Sequence, residues 1–472
     1  MAPTDRRSFL KHGLVAAGGL GLGLTAWSRL AHQGSPPGFN QALGPLVPVN
    51  DQTTGLPILK LPKGFRYHSF AWAGELLGDG FTSPGACDGM GVVRDEDGIV
   101  TLIRNHELRG SSGAIGDPEK AWDVTGGGTT TLKFDTQAER LVDSGVSLGG
   151  TINNCAGGVT PWGTWLSCEE GPVTPELMSH GISSRQRKWH LDNVQESHGY
   201  VFEVHPEGES NPRPIIPMGQ FYHEAAAVDP QSGAVYMTED HEPNAGFYRY
   251  LPDVPGDLQA GGVLQMMKVE GREELKYSVP LNRAMKIGWV TISDPGQGHT
   301  PGTHDCAGVV NQGMSVGGTA FVSLEGCGYF EGSVYFTSKA GGKHRSGQIF
   351  RLDIAAETVE LIFESDGPNG FSGLDNIIVS PKGSLIICED RLGLFLDGQY
   401  IAGLTPGGEL FAFCQTNPDI HASYAGHSLH DTAVSSEWAG ACFSADGQWM
   451  FVNLYSPGMT FAITGPWEQG PV

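Results

Sequence analysis

Residues 154–170 read NCAGGVTPWGTWLSCEE: a polar pair, a short apolar run, a turn with Pro and Gly, a second apolar run and a polar end. Two short apolar runs joined by such a turn predict a β-hairpin. In an antiparallel hairpin the start of the first strand lies beside the end of the second. The polar residues at the two ends of this stretch are therefore expected to meet at one rim of a sheet.

The same unit recurs along the chain, and we count six copies: 87–107, 154–170, 223–240, 305–326, 375–390 and 437–455. Further strand candidates lie between the copies, at 199–206, 246–252, 347–353 and 408–415, and would complete four-stranded sheets. Repeated four-stranded units are typical of β-propellers. The sequence predicts an all-β fold, a six-bladed β-propeller with loop insertions, formed by residues 50–467 as a single domain.

If the first strand of each copy lines the channel, as in propellers generally, the polar ends of all copies converge on one mouth. Like charges a few ångström apart repel by several kcal/mol at an effective dielectric constant of about 20, so we expect cations among them. Carboxylates suit Ca²⁺, Mg²⁺ or Mn²⁺, whereas a thiolate indicates a transition metal as well. The expected entry residues are Asp88, Asn154, Glu224, Asp305, Asp375 and Glu437, and the expected endings are Glu107, Cys168-Glu169-Glu170, Glu239-Asp240, Glu325 and Glu389-Asp390.

The composition narrows the class of partner. Asp and Glu number 52 against 29 Lys and Arg, a formal net charge of −23. Nucleic acid is not an expected partner, because phosphate backbones bind to basic surfaces. The eight cysteines form no CxxC pair, and several fall at equivalent places in the repeat, which favours packing or metal ligation over disulfides.

The first 32 residues predict a twin-arginine signal peptide. Arg6-Arg7 is followed by Ser8-Phe9-Leu10-Lys11 and a Gly-rich apolar stretch, which is short for a membrane span. We therefore expect export in the folded state by the twin-arginine machinery, a periplasmic or secreted location and no stable membrane anchor.

Several of these stretches resemble the PhoX-type alkaline phosphatases, which are exported calcium- and iron-dependent phosphomonoesterases. The resemblance rests on NHE (105–107), TINNCAGGVTPWGTWLSCEE (151–170), HEAAAVD (223–229), VYMTED (235–240), GWVTISDP (288–295), EWAGACFSADGQWMFVN (437–453) and SPGMTFAITGPW (456–467).

The resemblance implies a six-bladed propeller with a cluster of Fe³⁺ and Ca²⁺. By position, Cys168 matches the family's iron-binding cysteine. Glu224 and Glu325 match glutamates that resemble iron ligands, at the head and the tail of their hairpins. The remaining expected ligands, for calcium, are Glu107, Glu169, Glu170, Asp375 and Glu437.

The chain departs from the family pattern at one position. The family has an Arg two residues before the Glu at 325, and here that position is Ser323. An Arg would hold a substrate phosphate through two parallel hydrogen bonds. We expect Glu325 and Arg391 to act in catalysis, with Lys339 and Arg109 as other candidates for the missing cation.

Metal-assisted hydrolysis of small anionic phosphate esters is the leading hypothesis, since metals can stabilise the charge of the transition state. The alternatives are a calcium-dependent lactonase or phosphotriesterase, and a propeller whose metals only stabilise the fold.

Overall fold

The computed structural model describes residues 39–40, 42–110, 113–179, 191, 193–209, 211–367, 370–391 and 397–472. The predicted signal peptide lies outside these residues. Among the residues described, no helix has the length and apolar character needed to cross a membrane.

β-Strands are the main regular secondary structure of the described chain. In chain order the strands are β1 (Val47–Val49), β2 (Leu59–Leu61), β3 (Arg66–Phe70), β4 (Cys87–Glu96), β5 (Ile99–His106), β6 (Gly127–Asp135), β7 (Arg140–Thr151), β8 (Asn154–Val159), β9 (Trp165–Glu169), β10 (Val201–Val204), β11 (His223–Val228), β12 (Val235–Glu239), β13 (Phe247–Val254), β14 (Asp257–Val269), β15 (Met285–Thr291), β16 (Leu324–Phe330), β17 (Ser333–Ser338), β18 (Gln348–Asp353), β19 (Thr358–Glu364), β20 (Leu374–Val379), β21 (Leu385–Glu389), β22 (Tyr400–Leu404), β23 (Leu410–Thr416), β24 (Ser423–Tyr424), β25 (His427–Ser428), β26 (Trp438–Phe443), β27 (Met450–Leu454) and β28 (Met459–Thr464). The α-helices are α1 (Pro175–Ser179), α2 (Gly308–Ser315) and α3 (Leu429–Ser435), and 3₁₀ turns lie at Pro118–Lys120, Ile216–Met218 and Trp467–Gln469.

The strands form antiparallel sheets that follow the chain. One sheet is β4-β5-β6-β7, another is β8-β9-β10, and a third adds β1 and β2 to the edge of β20 to β23. In a fourth sheet β3 pairs with β28, with Phe70 opposite Thr460, so the start and the end of the fold share one sheet. The remaining large sheet has nine strands, because β15 at the edge of β11 to β15 pairs with β19 at the edge of β16 to β19.

The first strands of the hairpins surround a common axis. β4, β8, β11, β16, β20 and β26 each contact the next one, and β26 contacts β4. They line a cavity of about 380 Å³. This confirms the all-β class and a propeller-like arrangement, although the hydrogen-bonded sheets do not divide by themselves into six units.

Glycines allow these first strands to pack closely. A Cβ atom on Gly157 would lie 1.9 Å from the carbonyl oxygen of Leu166, and one on Gly158 would lie 2.0 Å from that of Ala226. Only glycine avoids contacts this short. The Gly-Gly pair in the stretch quoted first therefore serves the close approach of β8 to β9 and β11.

The fourth hairpin was predicted at residues 305–326, and this prediction is wrong. Residues 308–315 form α2, because Val309, Val310 and Gly313 recur at helical spacing and are buried on one face. The hairpin is instead β16–β17. Glu325 therefore lies at the start of its hairpin and not at the end, and Asp305 lies in a turn where its carboxylate accepts from Thr300.

Candidate metal centre

Every first strand carries an irregularity at the same place. Regular pairing with the second strand is broken directly after Cys87, Asn154, His223, Leu324, Leu374 and Ala439. A β-bulge leaves the next residue unpaired and re-aims its side chain. We call the residues at these six equivalent positions the inner ring: Asp88, Cys155, Glu224, Glu325, Asp375 and Gly440.

Five inner-ring residues have side chains that bind metals, and two further glutamates join them. The ligand atoms of Asp88, Glu107 and Glu437 lie within 4.8 Å of one another and form the first triad. Those of Glu224, Glu325 and Asp375 also lie within 4.8 Å of one another and form the second triad. Five of the eight predicted ligands are thus members of the triads, and the other three are Cys168, Glu169 and Glu170.

Cys155 lies on β8 between the two triads. Its Sγ atom is 3.5 Å from Oδ2 of Asp88 on β4. Burial raises the pKa of the Cys155 thiol well above its usual value, and the charges of Asp88 and Glu224 raise it further. A cation between the triads would lower that pKa, because metals bind the thiolate. Cys155 is the residue that the sequence analysis missed, although it stands in the same quoted stretch.

Cys168 is not in the ring, which corrects the prediction that it is the sulfur ligand. Its side chain is fully buried in an apolar cluster that contains Leu166, Val201 and Met237. Burial alone raises its thiol pKa. The two cysteines lie in opposite strands of one hairpin, and only the bulged strand turns its side chain to the axis.

Glu169 also points away from the ring, contrary to the prediction. Its carboxylate accepts hydrogen bonds from the backbone N–H groups of Ile152, Gly199 and Tyr200. His198 Nδ1 lies 2.7 Å from Oε1 of Glu169. Glu169 therefore joins the hairpin to the segment after the insertion and is not available to a metal at the axis.

Glu170 does reach the ring. Its negative charge raises the pKa values of Cys155, Glu224 and Glu325. Its Oε2 atom accepts a hydrogen bond of 2.6 Å from Asn153. Of the three residues Cys168-Glu169-Glu170, only the last faces the centre.

The triads are electrostatically strained without cations. Burial is the largest cause of raised carboxyl pKa values at Asp88, Glu224, Glu325 and Glu437, and repulsion from neighbouring carboxylates adds to it. The Oε1 atom of Glu224 is buried and has no hydrogen-bond partner among the described residues. Carboxylate oxygens beside one thiol are a set that fits hard cations together with a transition metal.

Two basic side chains also reach the triads. The Arg109 guanidinium is hydrogen-bonded to Glu107 and Asn153 and lies 4.0 Å from Glu170. Lys339 Nζ is hydrogen-bonded to Asp375 and Asp390. Burial alone would lower the pKa of Lys339, but the carboxylates around it raise the pKa well above its usual value.

Arg391 does not contact the triads, contrary to its predicted catalytic role. Its Nε atom lies 3.0 Å from Oε1 of Glu389, and its guanidinium also bonds to the carbonyl of Gly398. Glu389 itself accepts from the backbone N–H of Tyr400. At the position of the missing Arg, Ser323 donates a hydrogen bond of 2.6 Å to Asp240.

A propeller-like scaffold with two buried carboxylate triads around a thiol defines the class as a protein with a candidate metal centre on the propeller axis. The family model for alkaline phosphatase PhoX matches residues 119–458. The chain therefore belongs to the alkaline phosphatase PhoX family, whose enzymes are phosphoric monoester hydrolases.

Among solved structures, PhoX of Pseudomonas fluorescens in complex with vanadate, a transition state analogue, is similar over 91% of this chain and 99% of that one. The TM-score is 0.64 and the identity is 17%, so the likeness concerns the fold. A gluconolactonase of Xanthomonas campestris, at 12% identity over 92% of this chain and 95% of its own, reaches a TM-score of 0.41. No curated protein matches the chain.

Proposed function

We propose that the chain is an exported phosphatase that hydrolyses phosphate monoesters at the centre formed by the two triads and Cys155, with Ca²⁺ and Fe³⁺ as its metals. The observation that carries the proposal is the inner ring itself. In a chain of the alkaline phosphatase PhoX family, five equivalent positions on neighbouring strands present four carboxylates and a thiol to one space.

The donor set indicates which residues would hold which ions. Cys155 would hold iron, because a thiolate has little affinity for Ca²⁺ and binds transition metals well. The carboxylates of both triads, with Glu170, would hold calcium and complete the iron site. When bound, such ions supply strong Lewis acidity toward phosphoryl oxygens.

The chain's own residues orient the ester. Arg109 is the more exposed of the two basic residues, with 37% of its side chain accessible, and two of its nitrogens already hold Glu107 and Asn153. A guanidinium has five N–H donors, so Arg109 can hold these partners and also donate to a phosphoryl oxygen. Glu325, predicted to be catalytic, would act by positioning within the second triad.

We also infer the number of blades, the export route and the location of the protein. The nine-stranded sheet would be two blades, β11 to β14 and β16 to β19, joined at their edges through β15, which gives six blades in a single domain over 50–467. The pair Arg6-Arg7 supports export of the folded protein by the twin-arginine route. Export would place the enzyme in the periplasm or outside the cell.

The test is phosphate release from p-nitrophenyl phosphate by protein loaded with iron and calcium. We expect turnover that is lost on chelation and in Glu224→Gln, and retained in Glu270→Gln, whose side chain is exposed. No turnover by the loaded protein, across pH and a panel of esters, would refute the proposal. Turnover of lactones that persists in Cys155→Ser would support the calcium-only alternative instead.

A further inference from the structure

The residue that follows the second strand of a hairpin has an equivalent place in six hairpins. In each, its backbone N–H donates to the carbonyl of the residue just before the first strand, at 2.8 to 3.2 Å. Four of these residues are acidic, one is a tyrosine and one is basic. In chain order they are Glu107, Glu170, Asp240, Lys339, Asp390 and Tyr455.

Lys339 is surrounded by carboxylates. Its Nζ atom lies 2.8 Å from Oδ2 of Asp375 and 3.8 Å from Oε1 of Glu325, and it is also hydrogen-bonded to Asp390. Only 20% of its side chain is accessible. An ammonium has three N–H donors, and three carboxylates surround this one.

The carboxylates around Lys339 could also bind a metal ion. Ca²⁺ takes carboxylate oxygens at about 2.3–2.6 Å, and Asp375 and Glu325 belong to the second triad. The third member of that triad, Glu224, is 1% exposed and has the unpartnered Oε1 atom. Lys339 Nζ therefore contacts two members of a triad whose third member has a carboxylate oxygen without a hydrogen-bond partner among the described residues.

We propose that Lys339 is a built-in cation that takes the place of one metal ion at the edge of the second triad. The inference rests on the proposed metal centre. The ammonium neutralises Asp375 and Asp390 permanently, so the centre needs one ion fewer than its carboxylates would otherwise hold. The N–H groups of Lys339 are engaged by protein carboxylates. Lys339 therefore does not contact the substrate phosphate in place of the Arg that is absent at Ser323.

The test is the calcium content of Lys339→Met, which keeps the unbranched stem of the side chain and removes its charged end. Wild-type and variant protein are loaded with iron, equilibrated with saturating Ca²⁺ and analysed by equilibrium dialysis and elemental analysis. We expect the variant to hold one more Ca²⁺ per chain than the wild type. Lys276→Met is the matched control, since Lys276 is also mostly buried and bonds to Asn244 and Glu274 outside the triads.

The other outcomes separate the two proposals. Equal calcium contents, with a raised KM for p-nitrophenyl phosphate in Lys339→Met, would overturn the inference and make Lys339 a substrate contact. A wild-type protein without bound metal would instead contradict the proposed metal centre.

If Lys339→Met does not fold, the wild-type protein still provides a test. Lysines are acetylated with acetic anhydride, with and without Ca²⁺, and Lys339 is quantified by peptide mass spectrometry. Low labelling that Ca²⁺ leaves unchanged supports a permanent ammonium. Labelling that rises on loading would show that the metal displaces Lys339 and would overturn the inference.

Discussion

The Sγ atom of Cys155 lies 3.5 Å from Oδ2 of Asp88, and the two residues occupy the same position on neighbouring strands, β8 and β4. Each is the residue that a break in strand pairing turns toward the axis. The contact joins the thiol to the first triad, while the charge of Glu224 acts on it from the other side. A transition metal held by Cys155 would therefore be bound between the two triads.

The first prediction concerns the two cysteines of that hairpin. Cys155→Ser should lose most of its bound iron and at least about tenfold in phosphatase activity, because the thiolate would be a metal ligand. Cys168→Ala is the control, since Cys168 lies in an apolar cluster and should retain both iron and activity. Elemental analysis and p-nitrophenyl phosphate assays of the same preparations check this. Iron loss in Cys168→Ala alone would reverse the assignment.

The second prediction concerns the stability that metals confer. Ligands that bind only the folded state stabilise it by about 2.7 kcal/mol at a hundredfold excess over Kd. Ca²⁺ should raise the Tm of the wild type, and Glu224→Gln should reduce that increase. In the presence of a chelator, Glu224→Gln should be at least as stable as the wild type, because it removes a buried carboxyl that is repelled by its neighbours and has one oxygen without a hydrogen-bond partner among the described residues. An equal rise in Tm with Ca²⁺ for the wild type and Glu224→Gln, measured by thermal unfolding scans, would contradict this prediction.

The third prediction concerns His198, which is fully buried between Glu169 and Asp123. Burial alone would lower its pKa, but the carboxylates raise the pKa to about 9. A raised histidine pKa stabilises the fold fully below the unfolded value of about 6.5, and this contribution is lost as the pH rises through the folded value. As the pH rises from 6.5 to values above 9, the wild type should lose the contribution of His198 to the free energy of unfolding, which is about 3 kcal/mol.

His198→Gln should flatten that pH dependence, and His205→Gln, which changes an exposed side chain, should leave it as it is. Urea unfolding at several pH values measures the slopes. Parallel curves for the wild type and His198→Gln would show that the histidine does not carry the effect.

The fourth prediction separates Arg391 from catalysis. Arg391→Met should destabilise the fold by about 2–4 kcal/mol, because it leaves Glu389 buried without its cation, while KM changes little. Arg351→Met is the control. It breaks the pair with Glu360, in which the Arg351 side chain is 43% exposed, and should cost less than about 1 kcal/mol. A large rise in KM without loss of stability would restore Arg391 as a substrate contact.

Much of this centre was predictable from the repeat. The hairpins, the propeller-like fold and the convergence of acids such as Glu107, Glu224 and Glu437 follow from polar residues at both ends of apolar runs. The twin-arginine signal stays a prediction, because residues 1–32 lie outside the described part of the chain.

The orientation of single side chains was not predictable. A strand alternates its faces, so one unpaired residue reverses every assignment beyond it, and a bulge leaves no clear mark in the sequence. For this reason the sequence pattern does not show that Cys155, and not Cys168, faces the axis. The short apolar run at 308–310 fits a strand or a helix equally well in the sequence, and in the structure it forms α2, with Val309 and Val310 buried.

The central claim is that a transition metal bound by Cys155 lies within the inner ring of an active phosphatase. Anomalous X-ray diffraction at the iron edge tests it most directly, on crystals of a preparation that releases phosphate from p-nitrophenyl phosphate. We predict an iron peak at bonding distance from Cys155 Sγ, among the carboxylates of the triads. An active preparation with its iron peak beside Cys168, or with no iron peak inside the ring, would contradict the claim.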